Sequence, residues 1–260
     1  MPERYRFSVT DIDAFERYLS RDDVSDEEML SHLNRTRPSN MYAEVGRAFH
    51  SLMENSQFYS LFREARNALP AAAMSLCTES EDASLSLWTS RKQVYHEMLP
   101  QPPDVAEMEV SGTYRMNDGT EVLLVGVLDA VWGHTVGDYK LMFSPARTAM
   151  GFLDAFQWRA YLDMMGPNYT FRYDAWNVQM HQGPPQMGPG GTRPGNRSYE
   201  IGRHTTSGRL PYYPTIHQDV TDRIANLVSW CRNKGWDGSE KQRRYENGQD
   251  PAYTLSALSL

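Results

Sequence analysis

Two kinds of apolar patterning alternate along the chain, and the change of period marks its elements. Residues 121 to 132, EVLLVGVLDAVW, are an apolar and β-branched run of strand length, which predicts a buried strand. The chain then turns at 134–137, and residues 136 to 143 predict the next strand beside it. Residues 169 to 180 and 198 to 204 predict two more strands. Between them, GPPQMGPGGTRPG at 183–195 reads as a mobile loop. Helical spacing marks 41–54, 152–164 and 219–231. Segment 57–99 reads as mainly helical, broken at Pro70 and at 78–82 and closed by the prolines at 100–103. Near the amino terminus, 7–18 predicts a helix with Thr10 as N-cap. Ser25 and Glu28 form a capping-box pattern before MLSHLNR.

The predicted hairpin carries the chemistry. Asp129 lies near the end of its first strand, and Asp138-Tyr139-Lys140 opens the second. Residues two apart on a strand point to the same face, so Asp138 and Lys140 project together and Tyr139 projects away from them. Magnesium prefers oxygen ligands and is usually held by one or two carboxylates plus substrate phosphate. A bound metal stabilises charge on a phosphoryl oxygen and lowers the pKa of its water, while a nearby lysine orients that water or stabilises the transition state. The plain alternative is a hairpin with a surface ion pair, worth about 0 to 1 kcal/mol.

Two helices extend the pattern. Gly46 and His50 are four apart on the upstream helix, where glycine is expected to allow close approach of another backbone. Gln157 and Tyr161 are four apart on the downstream helix and share a face. The succession G-x-x-x-H, G-x-x-D (Gly126 to Asp129), D-x-K and Q-x-x-x-Y resembles the RecB-like branch of the PD-(D/E)XK nucleases, over about residues 7 to 180 and more weakly to about 237.

The resemblance implies a restriction-endonuclease-like α/β core, a central mixed sheet flanked by helices, with a helical elaboration at the amino terminus. It implies His50, Asp129, Asp138 and the main-chain carbonyl of Tyr139 as metal ligands and Lys140 as the catalytic lysine. Gln157 and Tyr161 would support the site and contact the nucleic-acid strand. The first strand of such nucleases often carries a glutamate, and Glu107 and Glu109 are both candidates. Thr10 would belong to the family's serine-capped opening helix. The implied activity is magnesium-dependent DNA cleavage, with manganese as a substitute, leaving 5′-phosphate and 3′-hydroxyl ends. Exonucleolytic action is the first expectation, in phage or prokaryotic recombination, repair or defence, with a recombination or repair protein as partner. A restriction-like or structure-specific endonuclease and a catalytically idle DNA-binding subunit are the alternatives.

The chain departs from the family in its cysteines. Many relatives hold an iron-sulfur cluster on four of them, whereas here only Cys77 and Cys231 occur, in no C-x-x-C pair, so neither a cluster nor a structural zinc is expected. Net charge is −7 over 260 residues, which opposes a nucleic-acid enzyme at first sight. Up to residue 140 there are 13 basic and 23 acidic residues, and after it 13 and 10, so the later part can supply a basic groove. Half of that acidic excess lies up to Glu28, with 9 acidic and 4 basic residues, and reads as helix-start chemistry.

The start of the sequence lacks an apolar signal core and no run of about 18 apolar residues occurs, which predicts a cytoplasmic protein. A single domain is expected, with a mainly helical part over 1–104, the catalytic sheet and Q-x-x-x-Y helix over 105–180, and loop, strand and final helix over 181–260. Arg193, Arg197 and the basic cluster at 241–244 can meet phosphate, although an ordinary solvated surface is the commoner reading. Trp88 and Tyr95 read as core rather than base-stacking residues. His32, His96, His134, His181, His204 and His217 lack metal-ligand spacing with one another.

Overall fold

Strand structure begins before the helix expected at the amino terminus. The computed structural model describes residues 4–37, 41–54, 86–88, 103–144, 147–188, 191–193 and 197–238. RYRFS forms β1 (Arg4–Ser8), with Tyr5 and Phe7 buried and Arg4 exposed, the period of two of a half-buried strand. α1 (Val9–Ser20) follows at once. Its N-cap is Ser8, two residues before the expected Thr10, and the Ser8 N–H donates to Asp11 Oδ2 at 2.8 Å. Thr10 sits inside the first turn, its hydroxyl 2.8 Å from Ser8 Oγ. α2 (Asp26–Leu33) starts on the expected capping box: the Glu28 N–H donates to Ser25 Oγ at 3.2 Å and the Ser25 N–H to Glu28 Oε2 at 3.4 Å. α3 (Met41–Glu54) spans the range its periodicity predicts.

Within the segment expected to be helical, the described residues form a strand, β2 (Ser86–Trp88). The remainder of 57–99, with Cys77 and Tyr95, and the side chain of Trp88 lie outside the described residues. β3 (Val105–Arg115) and β4 (Glu121–Trp132) make a long antiparallel pair, and β5 (Thr135–Met142) returns after a two-residue connection. The helical pattern at 152–164 resolves into a 3₁₀ turn (Ala149–Phe152) and then α4 (Gln157–Met165). β6 (Thr170–Gln182) follows. The expected loop instead contains a small hairpin of β7 (Gln186–Gly188) and β8 (Gly191–Arg193). β9 (Arg197–Thr206), β10 (Leu210–Pro211) and α5 (Ile216–Asn233) complete the described elements. The side chains of Arg193 and Arg197, and the basic cluster at 241–244, lie outside what is described.

Among the described residues one mixed sheet runs β1-β4-β5-β6-β9-β2, with β3 also paired to β4 and β10 to β6. The β1–β4, β5–β6 and β2–β9 pairs are parallel and the others antiparallel. On one face Phe7, Leu124, Leu128 and Phe171 pack with Ile12 and Phe15 of α1, Leu162 of α4 and Ile224 and Leu227 of α5. On the other face Val45, Phe49 and Met53 of α3 cover Tyr139, Trp176 and Val178. This is an α/β fold with a central mixed sheet flanked by helices, compatible with a restriction-endonuclease-like core. Cys231 is buried on α5. Among the described residues no helix is long and apolar enough to cross a membrane.

Candidate metal and catalytic site

Strand pairing leads up to three carboxylates on three neighbouring strands. The β4–β5 ladder pairs Trp132 with Thr135, Val131 with Val136 and Ala130 with Gly137, and then stops. The next step would set Asp129 opposite Asp138. There a side chain takes over from the ladder, because Asp129 Oδ2 accepts the Tyr139 N–H at 2.6 Å. On the other side of β4, Ala106 pairs with Ala130 and Met108 with Leu128, so Glu107 lies across from Asp129. Its backbone φ is 50°, in the left-handed region. That conformation is uncommon for a residue with a side chain and costs on the order of 1–3 kcal/mol.

α3 brings His50 beside Asp129. Its Nδ1 lies 3.4 Å from Asp129 Oδ1, and its Nε2 lies 3.1 Å from the Tyr139 carbonyl oxygen. Ligand atoms of His50, Glu107 and Asp129 all lie within 4.8 Å of one another. Both Glu107 and Glu109 are exposed, and of the two it is Glu107 that joins His50 and Asp129. Close approach at Gly46 is not what delivers the helix: a Cβ built there meets nothing within 4 Å among the described residues. Packing of Val45, Phe49 and Met53 on the sheet holds α3 instead.

Asp138 and Lys140 project to the same face, as strand alternation requires, while Tyr139 is buried under α3. Lys140 Nζ lies 2.5 Å from Asp138 Oδ2. Gln157 binds both partners, donating from Nε2 to Asp138 Oδ1 at 2.6 Å and accepting from Lys140 Nζ on Oε1 at 3.0 Å. One turn further along α4, the Tyr161 hydroxyl donates to the Val127 carbonyl at 2.8 Å. The Tyr161 ring lies against Gly126, where a Cβ would come within 2.4 Å of its Cε1. The first residue of the G-x-x-D motif therefore clears the path for the last residue of Q-x-x-x-Y. Gln157 and Tyr161 are both buried, 6% and 3% exposed, and their polar atoms face inward as supports.

The electrostatics follow from burial and this geometry. Burial pushes the His50 imidazole down, and the Asp129 carboxylate beside it more than reverses this, taking it up to about 9. Asp129 feels the opposite pair of effects: burial raises it, and His50 and Lys140 pull it below its ordinary value. Asp138 is pushed up to about 6, mainly by burial; Lys140 opposes the rise and Asp129 adds to it. Burial would lower Lys140, but the carboxylates of Asp138 and Asp129 outweigh it and hold the amine protonated. The carboxylates of Asp129 and Asp138 thus lie against the raised His50 and Lys140. Two carboxylates suit a hard divalent cation, and His50 could join them as a ligand only by giving up its proton. A firmly protonated lysine suits neutralisation of developing negative charge better than proton abstraction.

The structure thus brings His50, Asp129, Asp138, Lys140, Gln157 and Tyr161 together in two adjoining groups. His50, Asp129 and Glu107 meet in one group, with His50 also at the Tyr139 carbonyl, and Asp138 is engaged with Lys140, Gln157 and, through it, α4. Sequence spacing missed Asp13, whose Oδ1 accepts the backbone N–H groups of Phe156 and Gln157 at 2.8 and 2.9 Å. A charged residue flanked by buried Ile12, Ala14 and Phe15 was the available signal.

No protein-family model and no curated protein matches the chain. Among solved structures, the crystal structure of SSO0001 is similar to it, with a TM-score of 0.39 and 14% identity over 86% of this chain and 78% of that one. A likeness of that size carries no argument about activity.

Proposed function

We propose that this protein is a metal-dependent deoxyribonuclease of the RecB-like PD-(D/E)XK type, most simply an exonuclease. The observation that supports the reading is the cluster of His50, Glu107 and Asp129, with ligand atoms within 4.8 Å of one another, and Asp138 and Lys140 paired beside it. His50, Asp129, Glu107 and the Tyr139 carbonyl would hold magnesium, or manganese in its place, with Asp138 adjoining. When bound, the metal supplies Lewis acidity toward a phosphate oxygen and a more acidic water. Lys140 neutralises charge that develops on the phosphate, and Gln157 keeps both Lys140 and Asp138 from turning away. Tyr161 ties the helix carrying Gln157 to β4, so the geometry is set before substrate arrives.

An intracellular role in phage or prokaryotic recombination, repair or defence, beside a partner protein of that process, belongs to the same proposal and rests on the motif resemblance. The test is a substrate panel with purified protein: linear and covalently closed circular DNA, single- and double-stranded, and RNA, each with magnesium, manganese or chelator. Metal-dependent loss of linear DNA with circles intact is expected. Cutting of closed circles would replace exonuclease with endonuclease, and no cleavage of any substrate would overturn the reading.

A further inference from the structure

The helical pattern of 152–164 continues upstream of Gln157, yet α4 begins at Gln157. The first N–H groups of a helix have no partner within it and need an acceptor. Phe156, at the N-cap position, has no side-chain oxygen to offer, and no side-chain cap is made from there. The acceptor comes from 143 and 144 residues away: Asp13 Oδ1 takes both the Phe156 and the Gln157 N–H. A carboxylate that accepts two backbone N–H groups makes charge-assisted bonds, stronger than neutral ones, and favours the positive end of the helix. Asp13 is part of α1, which is fixed by Ile12 and Phe15 in the core, so the cap is anchored.

Gln157 is also the residue whose side chain spans Lys140 and Asp138. Its backbone is held by Asp13 and its amide by the pair on β5. We infer that Asp13 is a positioning residue for the site, fixing where α4 starts and thereby holding the Gln157 amide that keeps Lys140 against Asp138. The catalytic consequence rests on the nuclease reading; the structural link from Asp13 to the Gln157 amide does not. The wider molecule offers weaker candidates. The basic cavity of about 150 Å³ near Arg17, Arg21 and Arg37 already has Arg21 paired with Asp23 and Arg37 with Glu28.

The test uses the full chain with manganese and compares Asp13→Ala, Asp13→Asn, Gln157→Ala and the double variant Asp13→Ala/Gln157→Ala. Asp13→Ala is expected to lose on the order of a hundredfold in single-turnover rate, the size associated with a displacement of about 1 Å, while manganese affinity stays within about twofold of wild type. Asp13→Asn keeps an acceptor oxygen and should recover most of the rate. In the Gln157→Ala background, removing Asp13 should cost less than about twofold more, because its effect passes through Gln157. Losses that multiply in the double variant, or a wild-type rate in Asp13→Ala, would overturn the inference.

If wild type cleaves nothing, the nuclease reading fails and the positioning link is read from amide resonances. Asp13→Ala should shift the Phe156 and Gln157 backbone amides together with the Gln157 side-chain amide. An unmoved side-chain amide would refute the link. Should Asp13→Ala not fold, Asp13→Leu removes the acceptor with a larger side chain that leaves no cavity, and the same outcomes apply.

Discussion

A single methyl group at Gly126 tests whether the two sequence motifs meet as described. A Cβ added there would lie 2.4 Å from Tyr161 Cε1, 3.3 Å from its Cζ and 3.0 Å from Val9 Cγ2. Ordinary carbon contacts lie at about 3.5–4.0 Å, so the ring must retreat by about 1 Å or more. It has little freedom to do so. Its hydroxyl is bonded to the Val127 carbonyl at 2.8 Å, its face is stacked on Phe171 at 14° between planes, and it is 3% exposed. Overpacking of a well-filled core costs about 1–3 kcal/mol. Loss of the hydroxyl bond adds about 1 kcal/mol, and lower unfolded-state entropy of alanine returns about 0.4–1 kcal/mol.

Gly126→Ala should therefore destabilise by about 1–3.5 kcal/mol, lowering Tm by roughly 2–14 °C for a chain of this size. Denaturant titration and thermal melting measure it. In a Tyr161→Leu background the same substitution should cost at least about 1 kcal/mol less, because the obstructing ring is gone. A Gly126→Ala protein within about 0.5 kcal/mol of wild type, or equal costs in both backgrounds, would refute the contact.

Two further outcomes follow from the same geometry. Gly46→Ala, with nothing within 4 Å of the new methyl among the described residues, should leave stability unchanged or raise it by up to about 1 kcal/mol; a clear loss in thermal melting would show that the glycine is needed for packing. In chelator, the raised His50 value of about 9 contributes stability that is complete below the ordinary 6.5 and is lost as pH rises through about 9. This is at most about 3 kcal/mol at 1.36 kcal/mol per pH unit. Asp138, raised to about 6, likewise contributes stability that is complete below its ordinary value near 4 and is lost as pH rises through about 6. Melting curves of wild type and His50→Ala between pH 6 and 9.5 should converge with rising pH, and a constant gap would remove the Asp129–His50 pair from the account.

Legibility in the sequence depended on how local each cause is. The period of β4, the helical spacing of 41–54 and the reciprocal Ser25–Glu28 cap are written into neighbouring residues, and the elements form there. Asp138 and Lys140 share a face because strand geometry leaves no other choice. β1 was hidden because its five residues run directly into α1, although Tyr5 and Phe7 alternate correctly. The hairpin inside the Gly- and Pro-rich stretch needed pairing between β7 and β8 that composition does not disclose. At the site, regular alternation places Glu107 and Glu109 alike. Glu107 alone of the two has a left-handed backbone and reaches His50 and Asp129. The start of α4 is set by Asp13, 144 residues from Gln157, beyond the reach of any local pattern.

The central claim is that acid and lysine act in one metal-dependent site with separable roles. It is tested most directly by measuring manganese affinity and single-turnover cleavage of linear DNA for wild type, Asp129→Ala and Lys140→Ala. Asp129→Ala should lose metal and activity together. Lys140→Ala should bind manganese nearly as wild type does and cleave roughly a thousandfold more slowly, about 4 kcal/mol of transition-state stabilisation. A wild-type rate in Lys140→Ala, or equal manganese binding by Asp129→Ala and wild type, would contradict the account.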